Sequence, residues 1–165
     1  MKYQNEIINK LLKVRPNIKI SSDFIVGFPN ESDFDFQQTM DLIEEIRFDA
    51  SFSFIYSARP GTPASQLEDS VKLDTKKERL YILQKRIDEL QLNYSNDLIG
   101  TIQRCLVTGI SKKDINQLQA RTECNRVVNF DFQNINILGK LVDIDITNAY
   151  QRSLTGKILN SKGVS

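Results

Sequence analysis

Five polar side chains within residues 112–126 could bind a phosphate backbone. Lys112 and Lys113 are adjacent, and Arg121, Asn125 and Arg126 follow. Lysines supply mobile point charges and arginines supply planar forks, while an asparagine tolerates the left-handed backbone of a tight turn and offers its amide outward. The pattern predicts a β-hairpin with cations and amides at its tip. The alternative is an exposed hairpin whose charges only keep it soluble, since short basic runs are common in unrelated proteins.

A second group of candidate residues follows two apolar runs. The first run, residues 20–28, ends at Gly27, Phe28 and Pro29. Ligands of parallel sheets gather at the carboxyl ends of strands, where Gly27 would permit a close approach and Pro29 would stiffen the chain. The alternative is a strand-to-helix turn with a purely structural role.

Two charged residues belong to the same candidate site. Arg59 follows the second apolar run, residues 50–56, and could bind a carboxylate or phosphate. Asp23 lies on the mostly apolar first run, so its carboxylate needs either a partner or an exposed position.

The elements around these loops are predicted from hydrophobic spacing. Helices are predicted at residues 3–14 and 32–46 and strands at 20–28 and 50–56, an order that indicates βαβ units in a parallel sheet. Ser32 with Asp35 has the spacing of a capping box. The first helix is expected to pack against the sheet. Two parallel strands cannot close a barrel, so this half resembles the end of a larger sheet.

The second half of the chain is predicted to be a long helix followed by a small barrel. Residues 66–73 are a polar linker, and apolar residues at three- and four-residue steps predict a helix over residues 75–94, opened by a second capping-box spacing at Thr75 and Glu78. Five short strands then suggest an OB-like barrel, a shape that often binds oligonucleotides. They are predicted at about residues 101–108, 118–122, 126–130, 141–146 and 154–159.

Composition limits the function classes. The 165 residues are 40% hydrophobic and 26% charged, with a net charge of +1, and no apolar run approaches the ~18 residues of a membrane span, so no membrane association is expected and the predicted location is the cytoplasm. From residue 99 onward, nine Lys and Arg stand against five Asp and Glu, whereas residues 1–98 hold 13 against 16. This asymmetry points to one basic module at the C-terminal end.

Cysteine and histidine usage excludes a metal cluster held by this chain alone. There is no His, and Cys105 and Cys124 have no third partner. A [4Fe–4S] cluster needs a set of thiolates at short spacings. Cys105 is predicted to be a small packed side chain on a strand, and a disulfide to Cys124 is not expected in a reducing cytosol.

Three ordered runs resemble a known family. Residues 111–130 resemble the TRAM domain of the MiaB-type tRNA methylthiotransferases of the radical-SAM class, and residues 22–31 and 52–63 resemble the last strands of that family's partial barrel. Asn30 stands where the family usually has Gly, and Asn best tolerates the same backbone region. The resemblance implies three parts: residues 1–73 as the end of a partial TIM-like α/β barrel, residues 74–98 as a connecting helix, and residues 99–162 as a TRAM β-barrel.

The resemblance also implies a function and its cofactors. Full-length members use S-adenosylmethionine and two [4Fe–4S] clusters to methylthiolate C2 of an isopentenyl-modified adenosine beside the anticodon. This chain would bind the anticodon stem-loop through Lys112, Lys113, Arg121, Asn125 and Arg126. It would also contribute part of the cofactor wall through Asp23, Gly27, Phe28, Pro29 and Arg59.

Missing cluster ligands leave several interpretations open. The chain alone would be inactive, and a separately encoded cluster-binding half is one candidate for its partner. The alternatives are a stand-alone RNA-binding module, or a sister methylthiotransferase that acts on threonylcarbamoyladenosine.

Overall fold

The chain divides into two compact units, Met1–Gln91 and Leu92–Ser165. The computed structural model describes residues 2–131 and 135–159, so Met1 and residues 132–134 and 160–162 of the expected domains lie outside the described residues. Its helices are α1 (Lys2–Val14), α2 (Asp33–Ile46) and α3 (Leu73–Asn96). Its strands are β1 (Ser21–Val26), β2 (Ala50–Ile55), β3 (Ile102–Ile110), β4 (Gln117–Thr122), β5 (Val127–Asp131), β6 (Leu141–Tyr150) and β7 (Ser153–Ile158). Over the described ranges, no helix is long and apolar enough to cross a membrane.

The first unit contains a two-stranded parallel sheet. β1 and β2 are paired in register from Ser21 opposite Ala50 to Val26 opposite Ile55, with α2 as the crossover, as the βαβ pattern predicted. One face of the sheet is buried against α2 and α3. The buried cluster consists of Phe24, Val26, Ile43, Phe48, Leu83, Ile87 and Leu90. The α/β remnant expected from the sequence is therefore present.

The two predicted capping boxes have opposite outcomes. Ser32 caps α2, because its hydroxyl accepts the Asp35 N–H while the Asp35 carboxylate accepts the Ser32 N–H. The Ser32 hydroxyl also donates to the Asp35 carboxylate at 2.7 Å, and this hydrogen bond, together with the one from the Ser32 N–H, holds the pKa of Asp35 below its usual value. The second box is wrong: α3 begins at Leu73, so Thr75 is already inside the helix. The helix starts earlier because the Lys76 N–H bonds to the Lys72 carbonyl.

Helix α1 forms over the predicted residues but differs from expectation in its packing. Ile7 and Leu11 are each 45% exposed and Val14 is 87% exposed. None of these side chains joins the buried cluster of the first unit. One face of the small sheet is covered by α2 and α3, which leaves the apolar stripe of α1 without a position in that core.

The second unit is a closed five-stranded barrel in the order β3-β4-β5-β7-β6. β5 and β7 pair in parallel, and the other neighbours are antiparallel. This is the small OB-like barrel that the sequence predicted. Its core is apolar and consists of Cys105, Val107, Leu118, Ala120, Val128, Phe130, Ile144, Ile146 and Leu154.

Strand β6 is four residues longer than its alternation predicted. The alternation of Ile144 and Ile146 breaks at Thr147, where the register with β7 shifts before Asn148 pairs with Thr155. A bulge of this kind inserts one extra residue and lets the strand continue. On β7, a Cβ at Gly156 would lie 2.5 Å from the Asp145 carbonyl oxygen, so the closely approaching backbones require glycine there.

Candidate nucleic-acid interface and strand-end loops

The two lysines lie in the loop between β3 and β4. Lys112 and Lys113 are exposed, and neither ammonium group forms an ion pair with a described residue. Asp114 organises the loop, since its carboxylate accepts the Asn116 N–H at 2.9 Å and its carbonyl accepts the Gln117 N–H at 3.0 Å. Both cations are therefore presented to solvent by a loop with internal hydrogen bonds.

Arg121 and Asn125 form a contact at the turn between β4 and β5. Asn125 has a φ of 65°, the left-handed conformation expected of it. The Nη1 of Arg121 donates to both the carbonyl and the Oδ1 of Asn125 at 3.0 Å. Asn125 thus turns its side-chain carbonyl toward Arg121 instead of outward. The Arg121 side chain remains exposed, which orients a guanidinium at the surface of the turn.

Arg126 is placed differently from the exposed fork that the sequence suggested. It is 9% exposed, and its Nε donates to the Ser95 hydroxyl at 3.1 Å, in the last turn of α3. Its Nη1 lies 3.4 Å from the Cys124 sulfur. The guanidinium therefore ties the hairpin to the helix, which makes Arg126 a support for the turn rather than part of its surface.

The cations do not share one hairpin tip. The lysine loop precedes β4 and the Arg121 turn follows it, so the two groups lie at opposite ends of a strand about 20 Å long. Between them, the outward side chains of β4 are Gln117 and Gln119, since Leu118 and Ala120 are buried in the core. The predicted tip is replaced by a polar strand with cations at both ends.

The sequence analysis missed a row of amides and hydroxyls that crosses this strand. Gln119 pairs with Asn129 on β5, Asn129 pairs with Thr155 on β7, and Thr155 pairs with Asn148 on β6. Thr108 on β3 extends the row, and its hydroxyl donates to the Gln119 carbonyl at 3.2 Å. We call these five residues the amide row. Alternation with Val128 and Phe130 predicts that Asn129 points away from the core. Which residues lie beside it on β4 and β7 depends on the strand order, which the sequence pattern does not give.

At the end of β1, the space beside Gly27 is filled by the protein itself. Gly27 has a φ of 70°, and a Cβ there would lie 2.3 Å from the Cγ of Lys76. Its N–H donates to the Glu31 carboxylate at 2.8 Å. The close approach that glycine permits is therefore made by α3 and not by a ligand.

Two buried cations of α3 hold this loop. Lys76 pairs with Asp69 at 2.6 Å and lies over the Tyr56 ring at 5.4 Å. Arg79 pairs with Glu31 at 2.6 Å and with Asp33 at 2.7 Å. Burial lowers the pKa of Arg79, but the hydrogen bonds to both carboxylates outweigh burial and raise it.

The remaining candidates of the first unit are distributed around the strand ends. Phe28 is 43% exposed and packs edge-on against Tyr56 at 5.1 Å, whereas Pro29 is buried. Asn30 has a φ of 66°, in agreement with its predicted backbone region. Arg59 is exposed, and no described residue pairs with its guanidinium.

Asp23 lies on the open face of the sheet. Its carboxylate is exposed, which is one of the two positions that its charge allows. The same face carries Ile25, Phe52 and Phe54, which are 58%, 70% and 56% exposed. The open face, defined by these four residues, is thus apolar with a single carboxylate.

The cysteines occupy different environments. Cys105 is fully buried in the barrel core, and burial raises the pKa of its thiol to about 11. Cys124 is partly exposed, and both thiols are free. Among the described residues, no group of three His, Cys, Asp or Glu side chains could hold a metal ion.

Known proteins resemble both the barrel and the chain as a whole. The family model of the TRAM domain matches residues 97–159, which span the barrel. The chain as a whole is similar to about a third of the length of MiaB-type tRNA methylthiotransferases. A relative from Erwinia tasmaniensis, named tRNA-2-methylthio-N(6)-dimethylallyladenosine synthase, is 58% identical over 156 residues. That match covers 94% of this chain and 33% of the relative.

Relatives with the same name give the same extent of similarity. The protein from Haemophilus ducreyi is 58% identical over 94% of this chain, and the one from Hahella chejuensis is 55% identical over 93%. The chain covers 33% and 34% of these two relatives. It therefore spans about a third of the length of the curated relatives that it matches.

Proposed function

We propose that this chain is the tRNA-binding part of an enzyme that makes 2-methylthio-dimethylallyladenosine in tRNA. The main support is the 58% sequence identity, over 94% of the chain, to a synthase of that name. The TRAM barrel with exposed Lys112, Lys113 and Arg121 supports the assignment, because phosphate contacts position a protein on nucleic acid. The anticodon stem-loop is the proposed binding partner.

Fewer observations support the proposal that this chain contributes residues to the S-adenosylmethionine site. Asp23 and the apolar side chains of the open face could border S-adenosylmethionine, whose cationic groups a carboxylate would attract. When bound to a cluster, this cofactor supplies the radical for such reactions. Arg59 and Phe28 are accessible at the same ends of the strands, whereas Gly27 and Pro29 shape the loop from within.

The described residues do not fit an iron–sulfur cluster. Cys105 lies in the barrel core, and the partly exposed Cys124 has no neighbouring ligands among them. Both clusters of the proposed enzyme would be held by a cluster-bearing part outside the 165 residues. The chain alone would then bind tRNA without turnover.

Nucleoside analysis tests the substrate. tRNA from cells that lack the gene should lose 2-methylthio-dimethylallyladenosine and accumulate the form without the methylthio group. Unchanged levels would refute this substrate, and loss of the threonylcarbamoyl-type product instead would favour the sister family.

Reconstitution tests the division of labour. The chain produced with a cluster-bearing part should methylthiolate tRNA, whereas the chain alone should only bind it. Retained tRNA binding without any activity in the reconstituted pair would favour the stand-alone RNA-binding module. That alternative draws on the same exposed cations, which need no cofactor to bind a phosphate backbone.

A further inference from the structure

The amide row is a continuous uncharged surface on the outside of the barrel. Gln119, Asn129 and Thr155 occupy adjacent positions on β4, β5 and β7, and Asn148 and Thr108 flank them. Two residues further along β4, Arg121 also faces outward and pairs with Val127 on β5. The row thus lies beside a cation at the end of β4.

Asn129 is the unusual member of the row. It is 7% exposed, yet no described residue hydrogen-bonds to its side-chain amide. Its neighbours Val128 and Phe130 are buried in the core, so the Asn129 side chain points to the outer face. Its amide atoms are not among the fully buried polar atoms of the described residues that lack a partner, so they reach solvent at the outer face and are open to a ligand. A ligand that supplies both a donor and an acceptor would pair with this amide.

A nucleobase has the chemistry that this surface lacks. Asparagine and glutamine amides match the adjacent donor and acceptor on the edge of a base, and RNA is read mainly on unstacked, single-stranded bases. The Gln119 Nε2 donates to the Thr108 hydroxyl at 3.4 Å, while no described residue donates to its side-chain carbonyl.

A protein ligand fits less well. Peptides that bind sheets add a strand to a free edge, and a closed barrel has none. The cores of protein interfaces are enriched in aromatic residues, and the amide row contains no aromatic or aliphatic side chain.

We propose that Asn129, with Gln119 beside it, reads the edge of a single-stranded RNA base while Arg121 holds the adjacent phosphate. This inference rests on the proposed tRNA-binding function and assigns it a base-reading position. Base identity and backbone charge would be recognised by different residues, which makes the two contributions separable by experiment.

The test compares the binding of equal-length oligo-A, oligo-C and oligo-U to the 165-residue chain over a range of salt concentrations. The unmodified chain should prefer one of them. Asn129→Ala should reduce that preference by about five-fold or more and leave the salt dependence unchanged, since a base contact carries no phosphate charge. Asn93→Ala is the matched control, because it removes an exposed amide on α3 and should change neither quantity.

Each outcome decides the inference. A preference that survives in Asn129→Ala, or equal binding of the three oligonucleotides by the unmodified chain, would overturn base reading while leaving tRNA binding intact. Absence of any RNA binding would instead refute the proposed function. If Asn129→Ala does not fold, as judged by its melting temperature, the half-buried Gln119→Ala carries the same test, and an unchanged preference there would overturn the inference.

Discussion

Arg121 and Arg126 are both near one turn, but they have different roles. Arg121 is exposed and oriented by Asn125, so Arg121→Ala removes the proposed phosphate contact and leaves the barrel core unchanged. We expect tRNA affinity to fall by about 1 kcal/mol or more and the salt slope to fall by about one. Binding isotherms measured over a range of salt concentrations check both values.

Arg104→Ala is the control for Arg121. Arg104 is also exposed on the barrel, but it pairs with Asp143 at 3.0 Å. Its loss should leave the salt slope unchanged. Isotherms of Arg121→Ala that superpose on those of the unmodified chain would remove Arg121 from the interface.

Arg126→Ala should instead lower stability. The substitution removes the hydrogen bond to Ser95 and leaves a space between the hairpin and α3. Loss of hydrogen bonds from a charged, buried group predicts a decrease of about 1–3 kcal/mol in the free energy of unfolding. Denaturant unfolding measures it. A lower salt slope with unchanged stability would show that Arg126 contacts phosphate after all.

At the scale of elements, the loop after β1 depends on Gly27. Gly27→Ala places a Cβ against Lys76 and forces a left-handed backbone on a residue with a side chain. The backbone alone is expected to cost about 1–2 kcal/mol of stability, and the clash adds to that cost. Thermal or denaturant unfolding measures the total.

Gly61→Ala separates the two contributions. Gly61 has a φ of 83°, but nothing lies within 4 Å of a Cβ built there. It therefore reports the backbone cost only, and Gly27→Ala should be the more destabilising of the two. Equal effects would mean that Lys76 moves aside without cost.

The elements were predictable to the extent that their signals are local. Ser32 and Asp35 form a capping box because both partners lie within one helical turn, and the strands of the barrel follow from alternation. The burial of Arg126 was not predictable, since Ser95 is 31 residues away. The amide row depends on the order of the strands, which a single strand does not encode.

At the scale of the whole molecule, the open face affects solubility. Ile25, Phe52 and Phe54 form an exposed apolar surface on a sheet of two strands, a known cause of association. The double substitution Phe52→Thr with Phe54→Thr keeps β propensity and removes apolar area. It should reduce self-association of the chain.

Light scattering against protein concentration measures this effect. Ile115→Thr serves as the control, because Ile115 is 77% exposed in the loop between β3 and β4 and lies outside the open face. Self-association that persists in the double variant, or that is abolished equally by the control, would show that a surface other than the open face mediates it.

The separation of Lys112 and Lys113 from Arg121 has a consequence for ligand length. Since the two groups lie at opposite ends of β4, a strand about 20 Å long, a short oligonucleotide bound as proposed would contact only one of them at a time. Affinity would then rise in a step, rather than gradually, once an added nucleotide lets a single strand bridge both ends. The affinity of the barrel for RNA would then depend on the length of the single strand as well as on its charge.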